Sequence, residues 1–356
     1  MTETNMIHYL LGNGLTTAGS FIKGNYSCRA GNGRHRHFII NKEFEEQKLF
    51  IKQAQLNNDE KTNSILKEGI FYTLAATDNN FEELRQYLPA VLLYDEKNAA
   101  LVLEYYHDHI SLYDGLMNAE RDRSINKIAG DLAVILFSLH SVKTTVPGFL
   151  DEVKPWILQL AGSKRQGGFT ARSVAEQQGI ELIFSIQGFE ELIANAAQLW
   201  EASCIIHGDS KLNNFLLNDK DGKLKWIDWE IVAAGDPLWD VATVFQSVLT
   251  SWVVSQDPLF SSENKIGIST DRMQEFIAAC WKKYAGCNGW NIAMAKEKLE
   301  KCTAFTALRV LHSCFETTPN AKNLQPYSAR LLQLAHNILS NPAQACVGLF
   351  GINPEP

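Results

Sequence analysis

The sequence predicts an α+β protein in which a small, β-rich amino-terminal part is followed by a larger, mainly helical part. Three observations lead to this prediction. The chain has 356 residues, more than the ~250–300 residues at which a single hydrophobic core stops growing. Short β-prone segments dominate up to about residue 104. After residue 106 the apolar residues recur at helical spacing instead.

Five short strands and one helix are predicted for the first part. Glycine, asparagine or charged stretches separate the strands. Asn63 or Ser64 can cap the helix. Leu66, Ile70 and Leu74 then form an apolar stripe along it. The predicted strands are Tyr26–Arg29, His37–Asn41, Lys48–Ala54, Ala90–Tyr94 and Ala100–Glu104.

Helices are predicted for most of the second part. Ile125, Ile128 and Leu132 begin a run at 3-4 spacing that is apolar enough to be buried. The Gly-rich, basic segment Ala161–Arg172 is expected to be a mobile loop, whose basic side chains are either solvated or in contact with a substrate. The other predicted helices span about 187–202, 238–254, 270–285, 292–316 and 327–340.

The composition excludes several classes of protein. The chain is 46% hydrophobic and has a formal charge of −7, which indicates a folded protein and argues against nucleic-acid or anionic-membrane binding through bulk charge. The 7 cysteines are scattered and form no C-x-x-C pair, so reduced thiols are expected rather than disulfides or a zinc site. No apolar run approaches the ~18 residues of a membrane span, and the first residues do not resemble a signal peptide. We therefore expect a cytoplasmic protein; its oligomeric state stays open.

The segment from residue 204 to residue 242 carries the clearest chemical signal. An apolar strand leads into His207-Gly208-Asp209, and Asn214 follows five residues after the aspartate. Two further short strands, joined by a polar turn, end at Asp228. Phosphoryl transfer from ATP needs a carboxylate that accepts the proton of the attacking hydroxyl, and it needs oxygen ligands for Mg²⁺. Asp209, Asn214 and Asp228 fit these roles.

A lysine and a glutamate upstream fit the nucleotide side of the same chemistry. Lys52 lies in an apolar strand, as expected for a lysine that reaches nucleotide phosphates. Glu68, on the following helix, is its expected ion-pair partner. Lys48 is the competing lysine and has a less apolar surrounding sequence.

The turn between the first two strands is the candidate phosphate loop. Gly31 and Gly33 allow close approach of the backbone, and Arg34 offers a charged contact to phosphates. The last glycine of G-x-G-x-x-G is an arginine here, and a solvated basic turn is the alternative. His35 and His37 are expected to share one face of a strand, but a metal site there lacks a third ligand.

These motifs together resemble a known family. H-G-D-x-x-x-x-N followed by I-D-W-E and G-D-P-x-W-D is similar to the aminoglycoside phosphotransferase/choline kinase family, closely over residues 204–242 and more loosely from about 20 to 140. The resemblance implies a bilobal, protein-kinase-like fold with an N-lobe at 1–104 and a C-lobe at 105–356. In such a fold, backbone groups near Glu104 and Tyr106 would pair with adenine.

The resemblance also implies a role for each matched residue. Asp209 would be the catalytic base, and Asn214 and Asp228 would bind Mg²⁺. Asp240 would brace the catalytic loop through hydrogen bonds. Glu230 would either support the metal site or meet a cationic substrate.

The predicted function is transfer of the γ-phosphoryl group of ATP, with Mg²⁺, to a hydroxyl of a small molecule such as an aminoglycoside, an amino alcohol or a sugar. One alternative is a kinase that acts on Ser or Thr of a peptide, as in lanthipeptide maturation. Another is a catalytically silent ATP-binding scaffold, although the complete set Asp209, Asn214 and Asp228 favours an enzyme. The acidic net charge favours a cationic or neutral acceptor, whereas the basic segment 162–172 favours an anionic one.

Overall fold

The structure is a computed structural model of the chain. The residues divide into two compact units: residues 1–110 with 214–232, and residues 111–213 with 233–356. The structure describes residues 1–23, 26–32, 35–42, 48–54, 59–117, 124–143, 150–162, 171–256, 267–316 and 321–353.

An antiparallel sheet forms the centre of the first unit. Its strands are β1 Tyr26–Asn32, β2 Arg36–Lys42, β3 Leu49–Gln53, β4 Val91–Asp95 and β5 Ala100–Glu104. They lie in the order β1-β2-β3-β5-β4, so β3 is central. All five predicted strands are confirmed, with ends that differ by up to three residues. In β3, Lys52 lies opposite His37 on one side and Leu101 on the other.

The first unit contains more helices than the one that the sequence predicted. They are α1 Glu3–Gly12, α2 Ala18–Ile22, α3 Asp59–Thr77 and α4 Glu82–Arg85. The prediction of a single helix is wrong because α1, which begins with a capping box on Thr2, covers one face of the sheet. Its Met6 and Leu10 pack in a fully buried cluster with Ile51 and Val102.

Helix α3 is the predicted helix, but it turns a different face inward. It begins at Asp59, ahead of the expected caps. Leu66, Ile70 and Leu74 are only half-buried. The buried face instead includes Glu68, which is 0% exposed. This face also buries the apolar residues Ile65, Phe71, Tyr72 and Ala75.

The predicted hairpin completes the first unit, although it was predicted as part of the C-lobe. Its strands are β8 Phe215–Asn218 and β9 Leu224–Trp226, and the short strand β6 His109–Ser111 lies beside β8. Phe215 lies opposite Trp226, and the two rings stack with centroids 5.0 Å apart. Asn214 and Asp228 flank this hairpin in sequence.

The second unit is built almost entirely of helices. Two of its helices, Pro237–Ser255 and Ile292–Glu316, are buried along most of their length. The side chain of Asp236 caps the first of them, with Pro237 in the first turn. The unit also contains the antiparallel pair β7 Cys204–Ile206 and β10 Ala233–Gly235. The helices are α5 Leu112–Met117, α6 Ile125–His140, α7 Val174–Ser185, α8 Phe189–Gln198, α9 Pro237–Ser255, α10 Thr270–Cys287, α11 Ile292–Glu316, α12 Pro326–Ser340 and α13 Pro342–Gly348.

The predicted helices of this unit are confirmed, and α11 has the predicted bounds 292–316. Helices α5, α7 and α13 were not predicted. Most of the predicted loop Ala161–Arg172 lies outside the described residues, but Arg172 is described and its guanidinium pairs with Glu176 at 2.7 Å. No helix in the described ranges is both long enough and apolar enough to cross a membrane.

Candidate functional site

A lysine and two carboxylates form a polar cluster inside the first unit. Strand alternation places Lys52 on the face opposite to the buried Ile51. Its Nζ lies 3.0 Å from each carboxylate oxygen of Glu68 and also pairs with Asp228. The structure thus brings together three of the predicted site residues, which come from β3, from α3 and from the segment after β9.

The charges of this cluster keep Lys52 protonated. Burial alone would lower the pKa of its ammonium, but the carboxylates of Glu68 and Asp228 outweigh burial, and the pKa is raised above its usual value. The competing Lys48 precedes β3 and is only half-buried.

Asp228 and Asn214 are held close to each other by the hairpin. The Ile227 N–H donates to the Asn214 carbonyl over 2.9 Å. Asp228 has a φ of +72°, a left-handed conformation that costs a non-glycine residue about 1–3 kcal/mol. Such strain persists where the surroundings impose it, and it is concentrated at functional sites.

A cavity of about 440 Å³ lies within the first unit. Lys52, Asn214 and Asp228 line one part of it, and the predicted adenine contacts Glu104 and Tyr106 line another. The remaining lining is mainly apolar or aromatic. The volume falls within the ~300–1,000 Å³ of ordinary ligand pockets.

Three aromatic rings form one wall of this cavity, and they explain one of the predicted glycines. His37 stacks on Phe50 at 5.6 Å, and Phe50 stacks on Tyr105 at 6.5 Å. A β-carbon on Gly31 would lie 1.8 Å from Nε2 of His37, so the ring occupies space that only glycine leaves open. The other two loop candidates, Gly33 and Arg34, lie outside the described residues.

His35 joins three segments around the cavity. Its Nε2 lies 2.8 Å from a carboxylate oxygen of Glu230 and 2.9 Å from the Ser64 hydroxyl. Because a carboxylate only accepts hydrogen bonds, Nε2 carries the hydrogen in the contact with Glu230. The turn before β2, helix α3 and the segment after Asp228 are therefore linked. Among the described residues, no group of three or more His, Cys, Asp or Glu side chains is arranged to hold a metal ion.

The predicted catalytic loop lies in the second unit and is anchored by Asp240. The carboxylate of this fully buried residue accepts the backbone N–H groups of His207 and Gly208 at 2.8 and 2.9 Å. It also pairs with Nε2 of His140 at 3.1 Å. Gly208 has a φ of +85°, which glycine adopts without strain. The predicted bracing of this loop by Asp240 is confirmed.

Asp209 is paired with two cations of the second unit. Lys211 Nζ lies 2.6 Å from one carboxylate oxygen, and Arg309 Nη2 lies 3.3 Å from the other. Burial would raise the pKa of Asp209, but Lys211 and Arg309 outweigh burial and hold the pKa below its usual value. The side chain is therefore a carboxylate that can act as a base at neutral pH.

Arg309, which contacts Asp209, is a residue that the sequence did not reveal. It is 2% exposed, its guanidinium lies over the ring of Trp239, and it donates to Nδ1 of His312 over 2.6 Å. Burial, followed by Arg309, lowers the pKa of His312 to about 3, so this imidazole is a neutral acceptor. A lone arginine inside the apolar run from Leu308 to Leu311 was the available sequence signal.

Comparison with solved structures defines the class of fold. The chain is similar to an ethanolamine kinase from Plasmodium vivax, with 11% identity, a TM-score of 0.55 and coverage of 92% of this chain and 87% of that one. It is similar to a choline kinase from Cryptosporidium parvum, with 11% identity, a TM-score of 0.57 and coverage of 98% of both chains. It is also similar to a choline/ethanolamine kinase family protein from Mesorhizobium loti, with 13% identity, a TM-score of 0.51 and coverage of 96% of both chains. The fold is protein-kinase-like, as predicted.

The family follows from the sequence itself. The model of the APH phosphotransferase enzyme family matches residues 46–275, more than half of the chain. The chain belongs to this family, and it is an enzyme, a phosphotransferase that acts on hydroxyl groups. No curated protein matches it in sequence.

Proposed function

We propose that the chain is a kinase that transfers the γ-phosphoryl group of ATP to a hydroxyl of a small molecule. The observation that carries the proposal is the buried cluster of Lys52, Glu68 and Asp228 on the cavity of the first unit. Such a cluster holds a lysine extended beside the place where nucleotide phosphates would bind. Membership in a phosphotransferase family supports the same conclusion.

ATP is assigned to the cavity of the first unit. Its apolar and aromatic lining suits a nucleobase, with Glu104 and Tyr106 as the backbone contacts to adenine. Lys52 would meet the phosphates. Gly31, Gly33 and Arg34 stay the proposed phosphate-loop residues.

Asn214 and Asp228 fit the oxygen ligands that Mg²⁺ requires. Carboxylate and amide oxygens are the ligands of hard cations, and Mg²⁺ typically takes one or two protein ligands together with phosphate oxygens and waters. Both residues line the same cavity as Lys52. When bound, the ion would neutralise charge on the phosphates.

Asp209 is proposed as the base that orients and deprotonates the acceptor hydroxyl. Lys211 and Arg309 keep its carboxylate ionised, and Asp240 fixes the loop that carries it. Because the transition state of phosphoryl transfer is loose, positioning and charge neutralisation supply most of the rate.

Replacement of the base tests the proposal. Asp209→Asn is expected to retain ATP binding by calorimetry but to lower kcat by about 10²–10⁴-fold. Asp151→Asn, on an exposed aspartate of the same unit, is the matched control and should keep full activity. An Asp209→Asn enzyme with wild-type turnover would refute the assignment. ATP binding without transfer to any small molecule or peptide by the wild type would favour the scaffold alternative.

A further inference from the structure

A cavity of about 530 Å³ lies in the helical unit, lined by α10, by the start of α11 and by residues 351–353. This volume falls within the ~300–1,000 Å³ of ordinary ligand pockets. Lys296 of α11 lines the cavity, whereas Arg309, the contact of Asp209, lies more than three turns further along the same helix. At a rise of about 1.5 Å per residue, roughly 20 Å of helix separates Lys296 from Arg309. The cavity is therefore distinct from the proposed reaction site.

Aromatic and aliphatic side chains form most of the wall of this cavity. The rings of Trp281 and Trp290 have centroids 5.9 Å apart, and both pack against the ring of Tyr284. Ile292 also lines the cavity and is 61% exposed, so apolar surface there is open to water. The other apolar lining residues are Ala278, Ala285, Ala295, Leu299 and Ile352. Such a wall suits the apolar part of a ligand, because binding removes that surface from water.

The polar side chains of the wall are mainly hydrogen-bond donors. Lys282 and Lys296 line the cavity, and neither has an ion-pair partner in the described part of the chain. A lysine ammonium and an indole N–H donate hydrogen bonds but do not accept them. Among the described lining residues there is no aspartate or glutamate, and only the side chain of Asn353 can accept a hydrogen bond. The wall therefore presents positive charge without a carboxylate to neutralise it.

The indole N–H of Trp281 is a further donor of this wall. The side chain is 4% exposed, but its indole nitrogen is not completely covered. The N–H makes no hydrogen bond to any of the described residues. Because Trp281 lines the cavity, the N–H is available to an acceptor atom of a bound molecule.

The start of α11 adds to the positive potential of the cavity. The helix begins at Ile292, and the side chain of Asn291 accepts the Met294 N–H over 2.9 Å. The first turn contains no acidic residue. The amino-terminal end of a helix carries a partial positive charge, which no side chain of this turn neutralises. The helix and the two lysines thus favour the same sign of ligand charge.

We propose that this cavity binds a small apolar carboxylate, such as an aromatic acid of the size of phenylacetate. The aromatic wall would receive its apolar part, and Lys282, Lys296 and the Trp281 N–H would meet its carboxylate. Hydrogen bonds to a charged group are stronger than those to a neutral one, so a neutral analogue binds less tightly. A cationic analogue is repelled by both ammonium groups. This second ligand site does not depend on the proposed kinase function.

Calorimetry on the whole chain tests the preference for a negative charge. Phenylacetate is compared with phenylacetamide, which is neutral, and with phenethylamine, which is cationic; the three share one ring, so a difference in affinity reports the charge. Phenylacetate is expected to bind at least about tenfold more tightly than the amide, and the amine is expected not to bind. Equal affinity for the acid and either analogue would overturn the proposal, as would no binding of phenylacetate or octanoate at millimolar concentration.

A variant of the wall links this preference to the cavity. The double variant Lys282→Met, Lys296→Met keeps most of the side-chain length and removes both charges. It is expected to weaken phenylacetate binding at least about tenfold and to remove the preference over phenylacetamide. Lys283→Met, on an exposed lysine of α10 that does not line the cavity, is the matched control and should bind phenylacetate as the wild type does. Unchanged phenylacetate affinity in the folded double variant would place the ligand elsewhere and overturn the proposal.

Discussion

Arg309 offers a direct test of how the proposed base is held. Its guanidinium is buried and lies 3.3 Å from a carboxylate oxygen of Asp209. Arg309→Met keeps most of the side-chain volume and removes the charge. Arg309→Lys keeps the charge but removes the planar donor fork. Arg330→Met, on an exposed arginine of α12, is the matched control.

The expected magnitude follows from the geometry. At a separation of 3.3 Å and an effective dielectric constant of about 20, the Coulomb attraction is about 5 kcal/mol before desolvation is subtracted. Breaking a buried pair costs about 3–5 kcal/mol. Lys211 still pairs with the other oxygen of Asp209, so we expect the free energy of unfolding to fall by an amount near the lower end of that range. A small displacement of the carboxylate should lower kcat by up to about 10²-fold.

The pH dependence separates positioning from mere packing. Arg309 helps to hold the pKa of Asp209 below its usual value, so its removal raises that pKa. The base then becomes protonated at a higher pH, and the acidic limb of the kcat/KM profile moves to higher pH. The same pairing stabilises the folded protein above the pKa of an unfolded aspartate and is lost as the pH falls through the folded pKa. If Arg309→Met lowers the melting temperature without changing kcat or the pH profile of kcat/KM relative to the wild type, Arg309 only supports the fold. In that case the reasoning is refuted.

Two further substitutions test the proposed ATP cavity and the loop that carries the proposed base. Gly31→Ala should displace the ring of His37, because the new β-carbon would lie 1.8 Å from its Nε2. The KM for ATP should therefore rise, while the KM for the acceptor stays unchanged. A variant that binds ATP as tightly as the wild type by calorimetry would contradict this. Asp240→Asn removes a carboxylate that accepts hydrogen bonds from two backbone N–H groups. In steady-state kinetics kcat should fall about 10–100-fold, and in urea unfolding the free energy of unfolding should fall by about 1–3 kcal/mol. An unchanged kcat would show that the loop does not need this brace.

Local signals explain why much of the first unit was predictable. The strands, the hairpin and the positions of Lys52 and Asp228 follow from apolar runs and turn residues that lie next to them in sequence. Helix α3 shows the limit of such signals. An apolar stripe through Leu66 and Ile70 would turn Glu68 away from the core, yet Glu68 is the buried residue. Its partner Lys52 lies 16 residues away on another element, so the helix sequence alone could not reveal that this carboxylate is buried.

Long-range contacts explain what the sequence did not reveal. Arg309 follows Asp209 by 100 residues, and nothing near it in sequence identifies its partner. Helix α1 has a clear capping residue in Thr2, but its place on the sheet depends on contacts of Met6 and Leu10 with strands far along the chain. Pairing of this kind is set by tertiary packing, which neither propensity nor spacing determines.

The charge clusters around Lys52 and around Asp209 have opposite ratios of cations to carboxylates, and this difference suits their proposed roles. In the first unit one cation, Lys52, is shared by two carboxylates. This surplus of negative charge favours the binding of a metal ion. A bound phosphate would attract Lys52, and the carboxylate of Asp228 would then be available to the metal. In the second unit one carboxylate, Asp209, is shared by Lys211 and Arg309. That surplus of positive charge keeps the base ionised. The same pairing chemistry thus favours cation binding in one unit and keeps the carboxylate of the other unit ionised.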